Sequence, residues 1–256
     1  MTAADQLQEP EKRSKTITLT NIALAVAIIA SWLAAHIYSV FFFELTTSAL
    51  PLAVVLFLLN TWLSVGLFIV AHDCMHGSLV PFRPAVNRAI GRLCLTLYAG
   101  FSYDDLNRKH HLHHRHAGTG EDPDFHDAPP YGYWRWFANF LGEYFSWRQY
   151  AHMTVRFLVY VYVLGAHLEN AILLWCIPAI LSALQLFTFG TYLPHRPHRE
   201  PFADRHRTIS NNYSWLVSLL TCFHFGYHHE HHLDPKMPWW RLPRARKYFK
   251  QKGLVH

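Results

Sequence analysis

From Thr20 to Phe43 no Asp, Glu, Lys or Arg interrupts the chain, and none occurs from Leu45 to Ala71. Each run is long enough to cross a hydrocarbon layer of about 30 Å as a helix. Between them, Glu44 to Pro51 reads as a tight hairpin without a basic residue. A third apolar run extends from about Phe157 to Ala166, and a fourth from Ala171 to Leu193, with only His167-Leu168-Glu169-Asn170 between them. The pattern predicts an all-α integral membrane protein of about four transmembrane helices in two hairpins. Nearly twenty mostly polar residues precede the first run, which is too long for a cleaved signal sequence. The expectation is an uncleaved anchor, a disordered tail over residues 1–15, and a single membrane-embedded domain over 16–256.

Composition agrees with this picture. Hydrophobic residues make up 51% and charged residues 16%, against roughly 25% charged in soluble domains. Aromatics at 16% exclude a disordered chain, and four scattered cysteines argue against a disulfide-stapled fold. The net charge of +6 raises nucleic acid as a partner, but the placement of the charges speaks for topology. Of the 23 Lys and Arg, three precede the first run, nine lie between the second and third, and eleven follow the fourth. Neither hairpin turn carries one. By the positive-inside rule both termini and both polar segments face the cytoplasm of a bacterial inner membrane; the partner is the lipid bilayer, not nucleic acid. Arg156, at the start of the third run, is expected to snorkel to the interface.

The polar segments concentrate the 20 histidines. One cluster is His72-Asp73-Cys74-Met75-His76, at the cytoplasmic end of the second run. The others are His110-His111-Leu112-His113-His114 and His228-His229-Glu230-His231-His232, which share the spacing His-x-x-His-His. On a helix, positions i, i+3 and i+4 fall within about 100° of arc, so three imidazoles point one way, while His111 and His229 lie off that face. Eight imidazoles exceed what one metal accepts and suggest a His-rich two-metal site in a cytoplasmic helical cap. A pH-sensitive surface does not require the same spacing twice on one side of a membrane. The zinc-protease pattern is absent, because Leu233 stands where a second histidine would follow His229-Glu230. No Glu-x-x-His of soluble di-iron bundles occurs. Imidazole alone does not choose between iron and zinc. A metal transporter would call for polar residues through the spans, and the first, second and fourth carry no acidic or basic residue apart from His36.

These boxes resemble those of the integral-membrane, histidine-box di-iron oxygenases and desaturases. The flanking segments Phe68–Ser78, Glu121–Phe125, Leu186–Arg196, Thr221–His232 and Pro238–Pro243 are similar to those of the bacterial β-carotene ketolases. The resemblance implies two iron ions held by His72, His76, His110, His113, His114, His228, His231 and His232. It implies a ninth ligand between the second and third boxes, for which His195 is favoured over His224. It further implies O2 as co-substrate and a carotenoid substrate oxidised at ring C4 to a ketone. That route runs through echinenone to canthaxanthin, or from hydroxylated carotenoids to astaxanthin-type products. A carotenoid ring hydroxylase and a fatty-acyl desaturase share the boxes and are the alternatives. No Gly-x-Gly-x-x-Gly or Cys-x-x-Cys occurs, so an external, ferredoxin-like electron donor is expected.

Metal-bound imidazoles donate their outer N–H to an acceptor, for which Asp73, Asp122, Asp124 and Glu230 are candidates; salt bridges to arginines are their alternative role. Trp239-Trp240 and the run Tyr131–Trp136 suit either a substrate entrance or an interfacial aromatic belt. His36 and His167 read as ordinary residues near the far side. His116, His126, His152, His198, His206 and His256 read as solvent-facing.

Overall fold

The computed structural model describes residues 10–126, 132–198 and 201–255. Most of the expected N-terminal tail and Tyr131 therefore lie outside the described residues. Among the described residues there are helices and loops and no strand. Helix α1 runs Pro10–Ile37 and continues through a π turn, Tyr38–Phe42. After a 3₁₀ turn at Thr47–Ala49, α2 runs Leu50–Met75, with Pro51 in its first turn, where a missing N–H costs nothing. Then follow α3 (Pro84–Tyr98), α4 (Tyr103–His116), α5 (Tyr133–Tyr144) and α6 (Trp147–Leu158), which ends in a π turn at Val159–Val163. Helix α7 is continuous from Leu168 to His195. Three shorter helices close the chain: α8 (Trp215–Cys222), α9 (His228–Leu233) and α10 (Leu242–Gln251).

Helix α2 is the central post. It packs against α1, α3 and α7, and its second half is buried almost throughout. Small and polar side chains let α1 lie close to it: Trp32 Nε1 donates to Ser64 Oγ at 3.0 Å, and Asn60 Nδ2 to Ser39 Oγ at 2.9 Å. One apolar core joins Ala25 and Trp32 of α1, Val65 to Met75 of α2, Cys94 and Leu95 of α3, Leu186 of α7, and Phe223 and Phe225 after α8. The outward faces are apolar as well; Val26, Val54, Leu58 and Ile180 are all more than half exposed. A wet surface disfavours such a face and hydrocarbon favours it.

Three helical stretches are long and apolar enough to span a membrane: Lys15–Phe42, Thr47–Met75 and Leu168–His195. The segment expected as a further span, 157–166, forms the end of the shorter helix α6 and stops at Gly165, which takes a positive φ of 71°. Arg156 does not simply snorkel. Its guanidinium donates to Thr96 O at 2.9 Å and Leu97 O at 3.1 Å, satisfying orphan carbonyls at the end of α3. The turn after α1 meets the start of α7, because Asn170 Nδ2 donates to Phe43 O at 2.7 Å. With 26 residues in α2, that end lies about 39 Å from the other end of α2, where the histidines gather.

Helix α7 carries two π segments, Ile172–Cys176 and Phe187–Tyr192. Each surrounds the residue four before a proline, Leu174 before Pro178 and Gly190 before Pro194. The proline ring displaces that carbonyl and removes its hydrogen bond, and a wider turn accommodates both. The second π segment also resets the helical phase just ahead of His195.

Candidate metal centre

Four elements converge at the end of α2. The last turn of α2 presents His72 and His76, α4 presents the second histidine cluster, α7 ends on His195, and α9 consists of the third cluster. Helix α4 is capped by the Ser102 hydroxyl, which accepts from Asp105 N, and carries Asp104 and Asp105 in its first turn. Those charges complement the helix dipole at the N-terminus and leave the C-terminal turn to the imidazoles.

Nine imidazoles form two groups. In the first, His72, His76, His110, His114 and His231 each offer a nitrogen within 4.8 Å of the others. In the second, His113, His195, His228 and His232 do the same. Helices α4 and α9 each divide their triple between the groups. The i, i+4 pair of α4, His110 and His114, enters the first and His113 the second; His228 and His232 of α9 enter the second and His231 the first. Helix geometry explains the split: i+4 lies about 40° to one side of i, and i+3 about 60° to the other. Each triple therefore shares one broad face and is divided between the two groups.

The inward atoms are Nε2 nitrogens facing one another. His76 and His110 approach to 2.7 Å, His110 and His114 to 3.1 Å, and His114 and His231 to 2.9 Å. In the second group His113 and His232 approach to 3.2 Å, and His232 and His228 to 3.1 Å. His195 Nε2 and both nitrogens of His72 are buried without a partner. Burial, followed by the neighbouring imidazoles, holds His76 down to about 3 and His110, His114, His228, His231 and His232 well below the usual histidine range. These six rings are neutral at pH 7 and keep an unshared pair on the inward nitrogen. Adjacent ligands at about 2.1 Å from a metal sit roughly 3 Å apart, so the donor set fits two cations.

The carboxylates sort themselves. Asp122 accepts from His113 Nδ1 at 2.9 Å, leaving Nε2 to face inward, and also accepts from Gly118 N at 2.8 Å and Asp124 N at 2.9 Å. Burial pushes His113 down, but Asp122 and Asp124 outweigh it and carry the ring up to about 9. Asp124 accepts the Tyr144 hydroxyl and lies 3.7 Å from His113 Nδ1. Asp73 accepts Trp239 N at 3.2 Å and stands 3.8 Å from His72 Nδ1. Glu230 takes the alternative role: it pairs with Arg246 at 2.7 Å and accepts the Ser210 hydroxyl. Its helix turns it away from the centre between two inward positions.

His195 joins the second group and His224 does not. Phe223 and His224 adopt left-handed backbone conformations (φ 48° and 64°), which end α8 before α9 begins. The helix that would align His224 with His228 therefore does not form, and the His224 ring packs against Trp215, Tyr227 and Trp239. His111 and His229 stay outside both groups, bonding Asn107 O at 2.8 Å and Asp204 Oδ2 at 2.8 Å. His126, expected in solvent, is buried with Asn139 at 2.7 Å from its Nδ1, and His206 is half-buried beside His232.

An apolar cavity reaches both groups. Phe68, Tyr98, Phe101, Phe140, Tyr144 and Phe225 line it, with His72, His110, His113 and His228 at its metal end. Among the described residues, neither Trp239-Trp240 nor residues 132–136, read as an entrance or an interfacial belt, line it. Trp240 Nε1 instead donates to Asn21 Oδ1 at 2.8 Å, tying the C-terminal part to α1, and Trp136 Nε1 donates to Asp124 O at 2.7 Å. Sequence reasoning did not find Tyr144 or Arg207. The latter's carbonyl accepts from His195 Nδ1 at 2.9 Å, and neither residue belongs to a spacing pattern.

The sequence profile described as fatty acid desaturase matches residues 47–158 and 143–254. Among known proteins, the chain is 52% identical over 231 residues to a β-carotene ketolase of a Paracoccus species, covering 90% of this chain and 93% of that protein. It is 38% identical over 262 residues to a β-carotene ketolase of Haematococcus lacustris, covering 92% and 81%. A zeaxanthin 4-ketolase of Chlamydomonas reinhardtii is 39% identical over 249 residues, covering 93% of this chain and 55% of that protein.

Proposed function

The chain belongs to the fatty acid desaturase family, alongside its β-carotene ketolases, and on that ground we propose that it oxidises the C4 methylene of a β-carotene ring to a ketone at a histidine-held di-iron centre. The observation that carries this reading is the pairing of nine convergent imidazoles with an apolar cavity that ends on them. His72, His76, His110, His114 and His231 would hold one iron, and His113, His195, His228 and His232 the other. Iron is the metal that suits the substrate: a polyene ring offers no group for acid–base or nucleophilic attack, and zinc has no redox chemistry. When bound, the two irons supply the activation of O2 and the oxidant for an allylic C–H bond. A first hydroxylation gives an alcohol, and a second at the same carbon gives a geminal diol that loses water to the ketone.

The protein's own residues confine that chemistry. The aromatic walls exclude water and hold the ring by its apolar faces, with the site imidazoles at their inner end. Asp122 keeps the outer proton of His113 in place, which fixes the tautomer and orientation of that ring. Asp73 and Asp124 stand 3.8 Å from His72 Nδ1 and 3.7 Å from His113 Nδ1, too far for a hydrogen bond, and line the outer side of those rings, Asp124 with its carboxyl group held by Tyr144. Each hydroxylation consumes two electrons from outside the chain, and a ferredoxin-like protein suits the basic face.

The topology follows from charge. Helix α6 acts as a fourth, shorter crossing that completes a second hairpin with α7. Both hairpin turns lack Lys and Arg, whereas the metal end is rich in them, which sets that end and both termini in the cytoplasm of a bacterial inner membrane. Product analysis in a host that makes β-carotene tests the function. Echinenone and canthaxanthin are the expected products; 3-hydroxylated carotenoids alone, or desaturated fatty acids with carotenoids untouched, overturn the proposal.

A further inference from the structure

The geometry points to Arg207 as a positioning residue that holds two of the four imidazoles of the second metal group at once. The inference rests on the two-iron reading above. Its carbonyl accepts the outer N–H of His195 at 2.9 Å. Its guanidinium Nη1 donates to Gly118 O at 2.8 Å. The Gly118 N–H in turn donates to Asp122 Oδ2 at 2.8 Å, and Asp122 accepts the outer N–H of His113 at 2.9 Å. Four hydrogen bonds thus run unbroken from the outer face of His195 to the outer face of His113, and Arg207 supplies two of them.

Three features single this residue out from an ordinary surface arginine. Its backbone is left-handed, with φ at 44°, a conformation uncommon for a residue with a Cβ and retained where the surroundings demand it. Here that conformation accompanies a carbonyl aimed at His195. Gly118 is also left-handed, with φ at +67°, and a Cβ there would meet Cβ and Cδ of Arg207 at 3.1 Å. The two backbones are fitted to each other. Finally, Ile209 N donates to Pro194 O at 3.0 Å, so the loop that carries Arg207 is pinned to the turn of α7 that carries His195. The side chain is largely exposed, so shortening it leaves no cavity in the core.

The first group has no such link: none of its five imidazoles bonds to Arg207, Gly118 or Asp122. The effect of Arg207 therefore falls on one iron. The test is iron binding by the full-length protein purified in detergent, read by ⁵⁷Fe Mössbauer spectroscopy and by titration of the metal-free protein, with Arg207→Ala, Arg207→Lys and His195→Ala. Arg207→Ala keeps the carbonyl on His195 and removes the guanidinium bond to Gly118 O. It is therefore expected to weaken the second iron by less than the factor of about 10 to 100 for removing a ligand's direct partner. It should deplete the same Mössbauer component that His195→Ala removes, while the other iron stays at wild-type affinity. Arg207→Lys, which keeps a cationic donor, should recover part of the loss. Should Arg207→Ala not fold, the Lys variant decides alone, since it must still weaken that component more than the other. Unchanged affinity for both irons, or equal loss of both, overturns the assignment while leaving the two-iron reading intact. A wild-type protein that binds fewer than two irons overturns that reading and this inference with it.

Discussion

At the scale of single residues, two histidines of one box, separated by Leu112, have opposite fates. His113 faces the second group with its outer nitrogen on Asp122, whereas His111 bonds the carbonyl one turn back on its own helix. His113→Ala leaves three imidazoles in that group, and its iron affinity should fall more than about 100-fold, beyond the range for removing a supporting partner. Ketone formation should fail with it. His111→Ala should keep both irons and most of the activity, and equal loss in the two variants would contradict the partition. The eight box positions were legible as a set, because imidazoles at i, i+3 and i+4 share a broad helix face and the sequence repeats that spacing; His195 belongs to no such spacing and rested on the resemblance. Which centre each imidazole serves was not legible, since that depends on how α4 and α9 face each other. Glu230 shows the complementary limit. Its neighbours in sequence made it a candidate, but its partner Arg246 lies on another helix.

At the scale of elements, the charge-free runs announced three long spans, because a helix in hydrocarbon tolerates no unpaired charge. Helix α6 was harder to delimit. Its polar half, with Arg148 and Arg156, and its apolar half form one helix, and the carbonyls of Thr96 and Leu97, with the Trp175 ring beneath the guanidinium, explain why Arg156 is accepted there. The loop between α7 and α8 had no periodicity to read, yet it carries Asp204 and Arg207. The division of ligands between helices makes phase critical. One alanine inserted between Leu112 and His113 rotates His113 and His114 by about 100° relative to His110. His113 then stands four residues after His110, in the phase His114 had, so the first group keeps a pair on α4 while the second loses its α4 imidazole, although all 20 histidines remain. The insertion variant should lose the second iron and keep the first, and an iron assay on the purified protein checks this. Equal loss of both irons, or retention of both, would contradict the partition.

At the scale of the whole molecule, the turn after α1 meets the start of α7 at one end and the histidines gather at the other. Cysteines introduced at Thr47 and Leu168, both exposed, in a background without the native cysteines, should react with an impermeant thiol reagent from the periplasmic side. Asn170 is unsuitable for this purpose, since its amide is buried on Phe43 O. A cysteine at the exposed Arg205 should react only once the membrane is opened; labelling from outside would put the third box on the wrong side. The cavity that stops at His72, His110, His113 and His228 has a further consequence for a substrate with a ring at each end. A ring seated against the imidazoles leaves the polyene trailing toward the lipid, and the opposite ring cannot reach the metals while the first occupies the site. The molecule must withdraw, turn end for end in the bilayer and enter again. Oxidation is then distributive: monoketone should build up free in the membrane before diketone appears. A pulse of labelled substrate chased with excess unlabelled β-carotene should trap the label as monoketone.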